Sequence, residues 1–125
     1  MRILIVEDSE QMRSLIKSLV KALAPEVTEC SDGARALAAY LHHQPDCVLM
    51  DIRMPQVDGI AATRQITARF PDACIVMLTD YDDRDLREAA QNAGAAAYLL
   101  KEDLLALPEL LKTLNQKKQS PYERR

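Results

Sequence analysis

Polar residues of the types that take part in phosphoryl transfer stand at the ends of short apolar runs in this sequence. Carboxylates grouped together suit a hard divalent cation such as Mg²⁺, and a lysine ammonium can hold a phosphate oxygen. A threonine hydroxyl can donate a hydrogen bond to the same oxygen. The residues of these types that stand at the ends of apolar runs are Glu7, Asp8, Asp51, Thr79 and Lys101.

Asp51 is the residue that such chemistry would use as its nucleophile. Three carboxylates in one place repel one another, so they ionise together when a cation compensates them. With Mg²⁺ and Lys101 neutralising an incoming phosphoryl group, a carboxylate oxygen of Asp51 can attack phosphorus and form an acyl phosphate. An ionised carboxylate needs no protein base, so positioning and charge neutralisation supply most of the catalysis.

The segment after Asp51 predicts a stiff loop that fixes this carboxylate. Pro55 sets its own φ and biases Met54 towards an extended conformation. Gly59 tolerates backbone conformations that other residues avoid, and Asp58 is the expected N-cap of the next helix. A carboxylate in such a frame, at the end of a buried strand, lies where open parallel sheets bind their ligands.

Composition limits the classes of protein that the chain can belong to. Its 125 residues suit one domain, and a net charge of -3 gives no electrostatic footprint for nucleic acid. No apolar run approaches the length of a membrane span, and the short apolar amino terminus does not resemble a signal peptide. Cys30, Cys47 and Cys74 lack the spacing of a zinc site. We therefore expect buried thiols in a cytoplasmic protein.

Short apolar runs alternate with segments of helical period, which predicts an α/β fold. Ser9 is the expected N-cap of the first helix and Pro25 marks its end, while Gly94 suits the end of the fourth. Pro108 is a candidate first residue of the last helix, after an irregular or 3₁₀ connection over 102–107. Strands are expected at 3–6, 27–30, 47–50, 74–78 and 95–100, with the remaining helices beginning near 32, 60 and 83.

Five strand–helix pairs favour a flavodoxin-like, doubly wound (βα)5 fold with a five-stranded parallel sheet in the order 2-1-3-4-5. In that order strands 1 and 3 are neighbours, so Glu7, Asp8 and Asp51 share one crevice. Strands 4 and 5 then deliver Thr79 and Lys101 to the same rim. Each residue alone is typical of a helix cap or a solvated strand end, but their joint arrival predicts a site.

The chain resembles the receiver domain of bacterial two-component response regulators over residues 2 to about 117. We expect a receiver domain at 1–117 and a polar tail at 118–125. Glu102 after Lys101 favours the receivers of helix-turn-helix transcription regulators. The matching motifs are Glu7-Asp8, Asp51 with Met54-Pro55 and Asp58-Gly59, Leu78-Thr79, and the block from Gly94 to Lys101.

The resemblance implies that Asp51 accepts a phosphoryl group from a histidine kinase or phosphotransfer protein. It also implies that Asp8 and Asp51 bind Mg²⁺ directly, with the backbone carbonyl of Arg53 as a third ligand. Glu7 would act through a water molecule. A receiver of this kind assists its own phosphorylation and dephosphorylation but is not an enzyme in the usual sense.

A switch formed by Thr79 and Tyr98 is the second implication of the resemblance. Thr79 would move to bond the phosphoryl group, and Tyr98 would turn inwards into the vacated space. The surface formed by the fourth helix, fifth strand and fifth helix would then change for a partner, with a homodimer through that face as one possibility. The domain itself would contact neither nucleic acid nor membrane.

Departures from the common pattern leave alternatives open. Glu7 replaces the usual aspartate, and Asp80 stands where a small residue is usual, so its charge could repel phosphate. A degenerate receiver that docks partners without phosphorylation is the main alternative. A haloacid dehalogenase-type phosphatase is disfavoured because Arg53 occupies its general-acid position, and a flavodoxin-type nucleotide protein because no Gly-rich phosphate loop follows the first strand. The output partner is not identified by the sequence, which leaves open a single-domain regulator or a piece of a longer protein.

Overall fold

Five strands alternate with five helices within residues 1–118, which the computed structural model describes. The strands are β1 (Arg2–Val6), β2 (Glu26–Cys30), β3 (Cys47–Asp51), β4 (Ile75–Thr79) and β5 (Ala97–Leu100). The helices are α1 (Glu10–Val20), α2 (Ala36–His43), α3 (Gly59–Arg69), α4 (Arg84–Asn92) and α5 (Leu107–Lys118). Apart from Lys118 at the end of α5, the predicted polar tail lies outside the described residues.

The strands form one parallel sheet in the order β2-β1-β3-β4-β5, which confirms the predicted fold. Val6 pairs with Met50 across β1 and β3, so the next residues, Glu7 and Asp51, lie side by side. Thr79 pairs with Leu100 across β4 and β5, which brings Lys101 to the same edge. The register therefore gathers the strand-end residues at the carboxyl edge of the sheet.

Alternate strand residues bury on opposite faces of the sheet, since successive side chains point in opposite directions. Leu4 and Met50 belong to a cluster that packs beneath α2, α3 and α4. Ile5 and Leu49 belong to a cluster that packs beneath α1 and α5. Each fully buried aliphatic side chain contributes about 1.5–3 kcal/mol, so both layers fix the sheet rigidly beneath the site.

Side-chain caps begin three of the helices in the described chain. Ser9 accepts a hydrogen bond from the backbone N–H of Met12, and Asp58 does so from Ala61. Both caps confirm the sequence prediction. Asp83 caps α4 in the same way. Each such cap typically contributes about 1 kcal/mol, and the cap at Asp58 also fixes the exit of the Asp51 loop.

Two helix boundaries differ from the prediction. Helix α1 ends at Val20, well before Pro25, because the Val20 carbonyl accepts hydrogen bonds from both Leu23 and Ala24 and closes a tight final turn. Asp32 caps a 3₁₀ turn at Gly33–Arg35 rather than α2 itself, which begins at Ala36. The predicted 3₁₀ connection is present at Lys101–Ala106, and α5 begins one residue before Pro108.

In the loop after Asp51, the reason for a glycine at position 59 differs from the prediction. The left-handed backbone conformation falls on Gln56, with φ 68°. Gly59 is needed for space instead, because a Cβ atom there would lie 1.9 Å from the backbone oxygen of Asp51. The Gly59 amide donates a hydrogen bond to the Ile52 carbonyl at 2.8 Å. The start of α3 therefore packs directly on the strand end that carries Asp51.

We predict that Gly59→Ala lowers the free energy of unfolding by about 2 kcal/mol or more, because the new methyl group displaces the Asp51 backbone. Helix propensity alone predicts the opposite sign, since alanine normally stabilises a helix relative to glycine. Urea unfolding measures the change, with Ala68→Gly on the exposed side of α3 as the control for propensity. An unchanged or higher unfolding midpoint for Gly59→Ala would contradict the close approach.

Candidate functional site

The residues predicted from the strand ends meet at the carboxyl edge of the sheet. Glu7 follows β1, Asp51 and Thr79 end β3 and β4, and Lys101 follows β5. Glu7, Asp51 and Thr79 are all buried, whereas Asp8 is exposed at the rim. Because parallel strands deliver these groups from four neighbouring positions, the sheet fixes their separation.

Lys101 bridges two buried carboxylates. Its Nζ atom lies 2.9 Å from Glu7 Oε1 and 3.2 Å from Asp51 Oδ1. The lysine side chain is 11% exposed and that of Glu7 is 2% exposed, so water screens these pairs weakly. One ammonium group therefore faces two carboxylates, and Asp8 adds a third acid nearby.

The three acids form a group that fits a divalent cation. Glu7, Asp8 and Asp51 each offer a carboxylate oxygen, and these oxygens lie within 4.8 Å of one another. A donor set of oxygens, partly open to solvent through Asp8, suits Mg²⁺ better than a softer metal. The structure thus supplies an acidic pocket with the donor atoms that Mg²⁺ prefers.

Glu7 is held in place by contacts that the sequence analysis missed. Its Oε2 atom accepts a hydrogen bond from the Ser9 amide at 3.0 Å, and its backbone carbonyl accepts one from Arg13 Nη1 at 2.8 Å. Arg13 also pairs with Glu29 at 3.1 Å. Arg13 is one of several polar residues on α1, so its spacing alone gave no signal of this contact.

The electrostatics of the pocket favour a proton or a cation on Asp51. Burial and the neighbouring charge of Glu7 raise the pKa of Asp51 to about 7, while Lys101 opposes the shift. Burial lowers the pKa of Lys101, but its hydrogen bond to Glu7 and the charges of both acids outweigh burial and raise that pKa. The lysine therefore stays charged, and Asp51 gains from a further positive charge.

Thr79 and Tyr98 meet through the backbone of Tyr81. The Tyr81 amide donates to Thr79 Oγ1 at 3.2 Å, and the Tyr98 hydroxyl donates to the Tyr81 carbonyl at 2.6 Å. Burial raises the pKa of Tyr98, against the nearby Thr79 hydroxyl and the charge of Arg87. The two predicted switch residues are therefore connected through a single residue of the β4–α4 loop.

Arg53 lies in the loop after β3, with an exposed side chain. Its guanidinium stacks on Tyr81, with Cζ 4.7 Å from the ring centroid. This contact ties the loop after β3 to the loop after β4. The role of the Arg53 carbonyl as a metal ligand stays a prediction.

We predict that the metal-free protein loses stability as pH rises from about 4 to about 7. The raised pKa of Asp51 means that the folded state binds more protons than the unfolded state in this window, so the free energy of unfolding falls with rising pH. Asp51→Asn should reduce this fall in the free energy of unfolding between about pH 4 and about pH 7 by about 1–3 kcal/mol. Urea unfolding in EDTA measures it, with exposed Asp103→Asn as the control. Superimposable pH profiles for Asp51→Asn and the unmutated protein would contradict this account.

Similarity to known proteins agrees with this architecture. Transcriptional regulatory protein DegU of Brevibacillus brevis is 37% identical over 119 residues, which are 92% of this chain and 50% of DegU. Chemotaxis protein CheY of Bacillus subtilis is 39% identical over 117 residues, covering 91% of this chain and 98% of CheY. A LuxR-family two-component response regulator from Aurantimonas sp. SI85-9A1 superposes with a TM-score of 0.84 at 28% identity, covering 92% of this chain and 85% of that chain.

The match covers only part of the length of two relatives. The chain spans about half the length of DegU and of PdtaR from Mycobacterium tuberculosis, at 50% and 55%. No helix within residues 1–118 is long and apolar enough to cross a membrane. The family model for the response regulator receiver domain matches residues 3–115. This match covers most of the chain and includes every strand-end residue of the site, so the chain belongs to the response regulator receiver domain family.

Proposed function

We propose that Asp51 is the phosphoacceptor of a two-component phosphorelay. The observation that carries the proposal is the bridge from Lys101 to the buried carboxylates of Glu7 and Asp51, beside the exposed acid Asp8. Receiver domains interact with histidine kinases or phosphotransfer proteins, which would supply a phosphohistidine here. An Asp51 oxygen attacks phosphorus, the N–P bond breaks, and the histidine nitrogen takes the electron pair.

In this proposal, the lysine and threonine of the pocket bind the phosphoryl group and the acids bind Mg²⁺. Lys101 stays protonated and can turn from Asp51 Oδ1 to hold a phosphoryl oxygen, while Thr79 donates a hydrogen bond to another. Asp8, Asp51 and the Arg53 carbonyl would hold Mg²⁺, with Glu7 acting through water. The bound cation would neutralise charge on the transferring group. The protein thus assists its own phosphorylation by positioning and charge compensation.

Thr79 and Tyr98 would transmit the conformational change that follows phosphorylation. Their shared contact with Tyr81 connects the pocket to the face formed by α4, β5 and α5. New bonds from Thr79 to the phosphoryl group bias this element between two arrangements, and a few kcal/mol suffices to invert their populations. A second copy of the chain or another protein would bind that face. The receiver domain would comprise residues 1–117, and the protein would be cytoplasmic.

The similarity to DegU and the Glu102 position favour a role in transcriptional control. Within that role, the receiver domain contacts protein partners and does not itself contact nucleic acid. A docking module that works without phosphorylation is the second candidate, since Asp80 follows Thr79. The exposure of the Asp80 side chain favours phosphorylation, because a solvated charge repels phosphate weakly.

We predict that acetyl phosphate with Mg²⁺ adds one phosphoryl group to the protein and that Asp51→Asn abolishes the adduct. The amide cannot act as the nucleophile, although it keeps the shape of the side chain. Intact-mass spectrometry measures the adduct, and Asp103→Asn should retain it as a matched control. Absence of any adduct in the unmutated protein would contradict the proposal that Asp51 is a phosphoacceptor.

Asp80→Ala is expected to raise the rate of phosphorylation by acetyl phosphate less than about threefold, because the exposed carboxylate is screened. A time course of intact mass measures this rate. Acceleration beyond about tenfold, together with no NMR response of the unmutated pocket to Mg²⁺, would favour the docking alternative.

A further inference from the structure

Arg87 of α4 lies over the ring of Tyr98 and pairs with Asp82 of the preceding loop, an arrangement that we call the Arg87–Asp82 clasp. The Arg87 guanidinium carbon lies 4.4 Å from the centroid of the Tyr98 ring. Its Nη2 atom also lies 3.2 Å from Asp82 Oδ1, a solvent-exposed ion pair that favours the position of the guanidinium over the ring. A cation held over an aromatic face attracts the ring, so the clasp restrains the direction in which Tyr98 points.

The clasp reaches the phosphoacceptor pocket through one residue. Tyr98 donates to the carbonyl of Tyr81, and the amide of Tyr81 donates to Thr79 Oγ1. A hydroxyl that accepts this bond still has its own hydrogen to donate to a phosphoryl oxygen. Restraint of Tyr98 by Arg87 therefore also restrains the position of Thr79.

We propose that Arg87, paired with Asp82, is a positioning residue that keeps Tyr98 bonded to Tyr81 and so favours, of the two arrangements of this element, the one in which Thr79 binds a phosphoryl group. Its effect on phosphoryl binding rests on the proposed function, whereas its effect on Tyr98 does not. Without the clasp, the β4–α4 loop would become ordered only when the phosphoryl group binds, which would lower the affinity for that group. Because the Arg87 side chain is about half exposed and the Asp82 side chain is mostly exposed, the effect is moderate.

The test uses the full chain with 3-fluorotyrosine and compares Arg87→Ala with the unmutated protein. Fluorine NMR reports the Tyr98 ring in the free protein, and a titration with beryllofluoride in Mg²⁺ reports affinity for a phosphoryl analogue. We expect Arg87→Ala to shift the Tyr98 resonance and to lower the affinity about two- to fivefold, the scale of one exposed cation–aromatic contact. Arg87→Lys should restore part of both, and Arg84→Ala, an exposed arginine of the same helix, should change neither.

Tyr98→Phe provides a second variant, since it removes the hydroxyl and keeps the ring. We expect its loss of affinity to be non-additive with that of Arg87→Ala, because both act through the same bond to Tyr81. An unchanged Tyr98 resonance, a higher affinity in Arg87→Ala, or additive losses would overturn the positioning role. If the unmutated protein fails to bind beryllofluoride while Arg87→Ala still shifts the Tyr98 resonance, the proposed function fails and the restraint of Tyr98 stands.

Discussion

The placement of one largely buried ammonium between two buried carboxylates is the constraint on which the rest of the site depends. Lys101 lies within ion-pair distance of Glu7 and Asp51, and Asp8 adds a third acid at the rim. Removing charges from water is costly, so the pocket is stable when its positive and negative charges are matched. The excess of carboxylate is what makes the pocket receptive to a cation, and the lysine is what makes it receptive to a phosphoryl group.

The fold maintains this arrangement by register and by close backbone packing. The β1–β3 pairing brings Glu7 beside Asp51, and the β4–β5 pairing brings Lys101 beside Thr79. The close approach of Gly59 to the Asp51 backbone then fixes the end of this strand. A small change in any of these contacts would alter the distances between charges, on which the chemistry depends.

Sequence reasoning predicted the groups that stand at strand ends, because an apolar run followed by a polar residue marks both a strand and its exit. It also predicted the sheet order and the caps at Ser9 and Asp58. It could not predict that Gln56, rather than Gly59, takes the left-handed conformation. The contacts of Arg13 with Glu7 and of Arg87 with Tyr98 were equally hidden, since contacts between side chains on separate elements leave no periodic signal.

Chemical trapping of the phosphorylated residue tests the central claim most directly. Sodium borohydride reduces an aspartyl acyl phosphate to homoserine, which peptide mass spectrometry locates in the chain. After phosphorylation with a phosphodonor and Mg²⁺, we predict homoserine at position 51 and an unmodified carboxylate at Asp8. Homoserine at Asp8 or elsewhere, with Asp51 intact, would contradict the assignment of Asp51 as the phosphoacceptor.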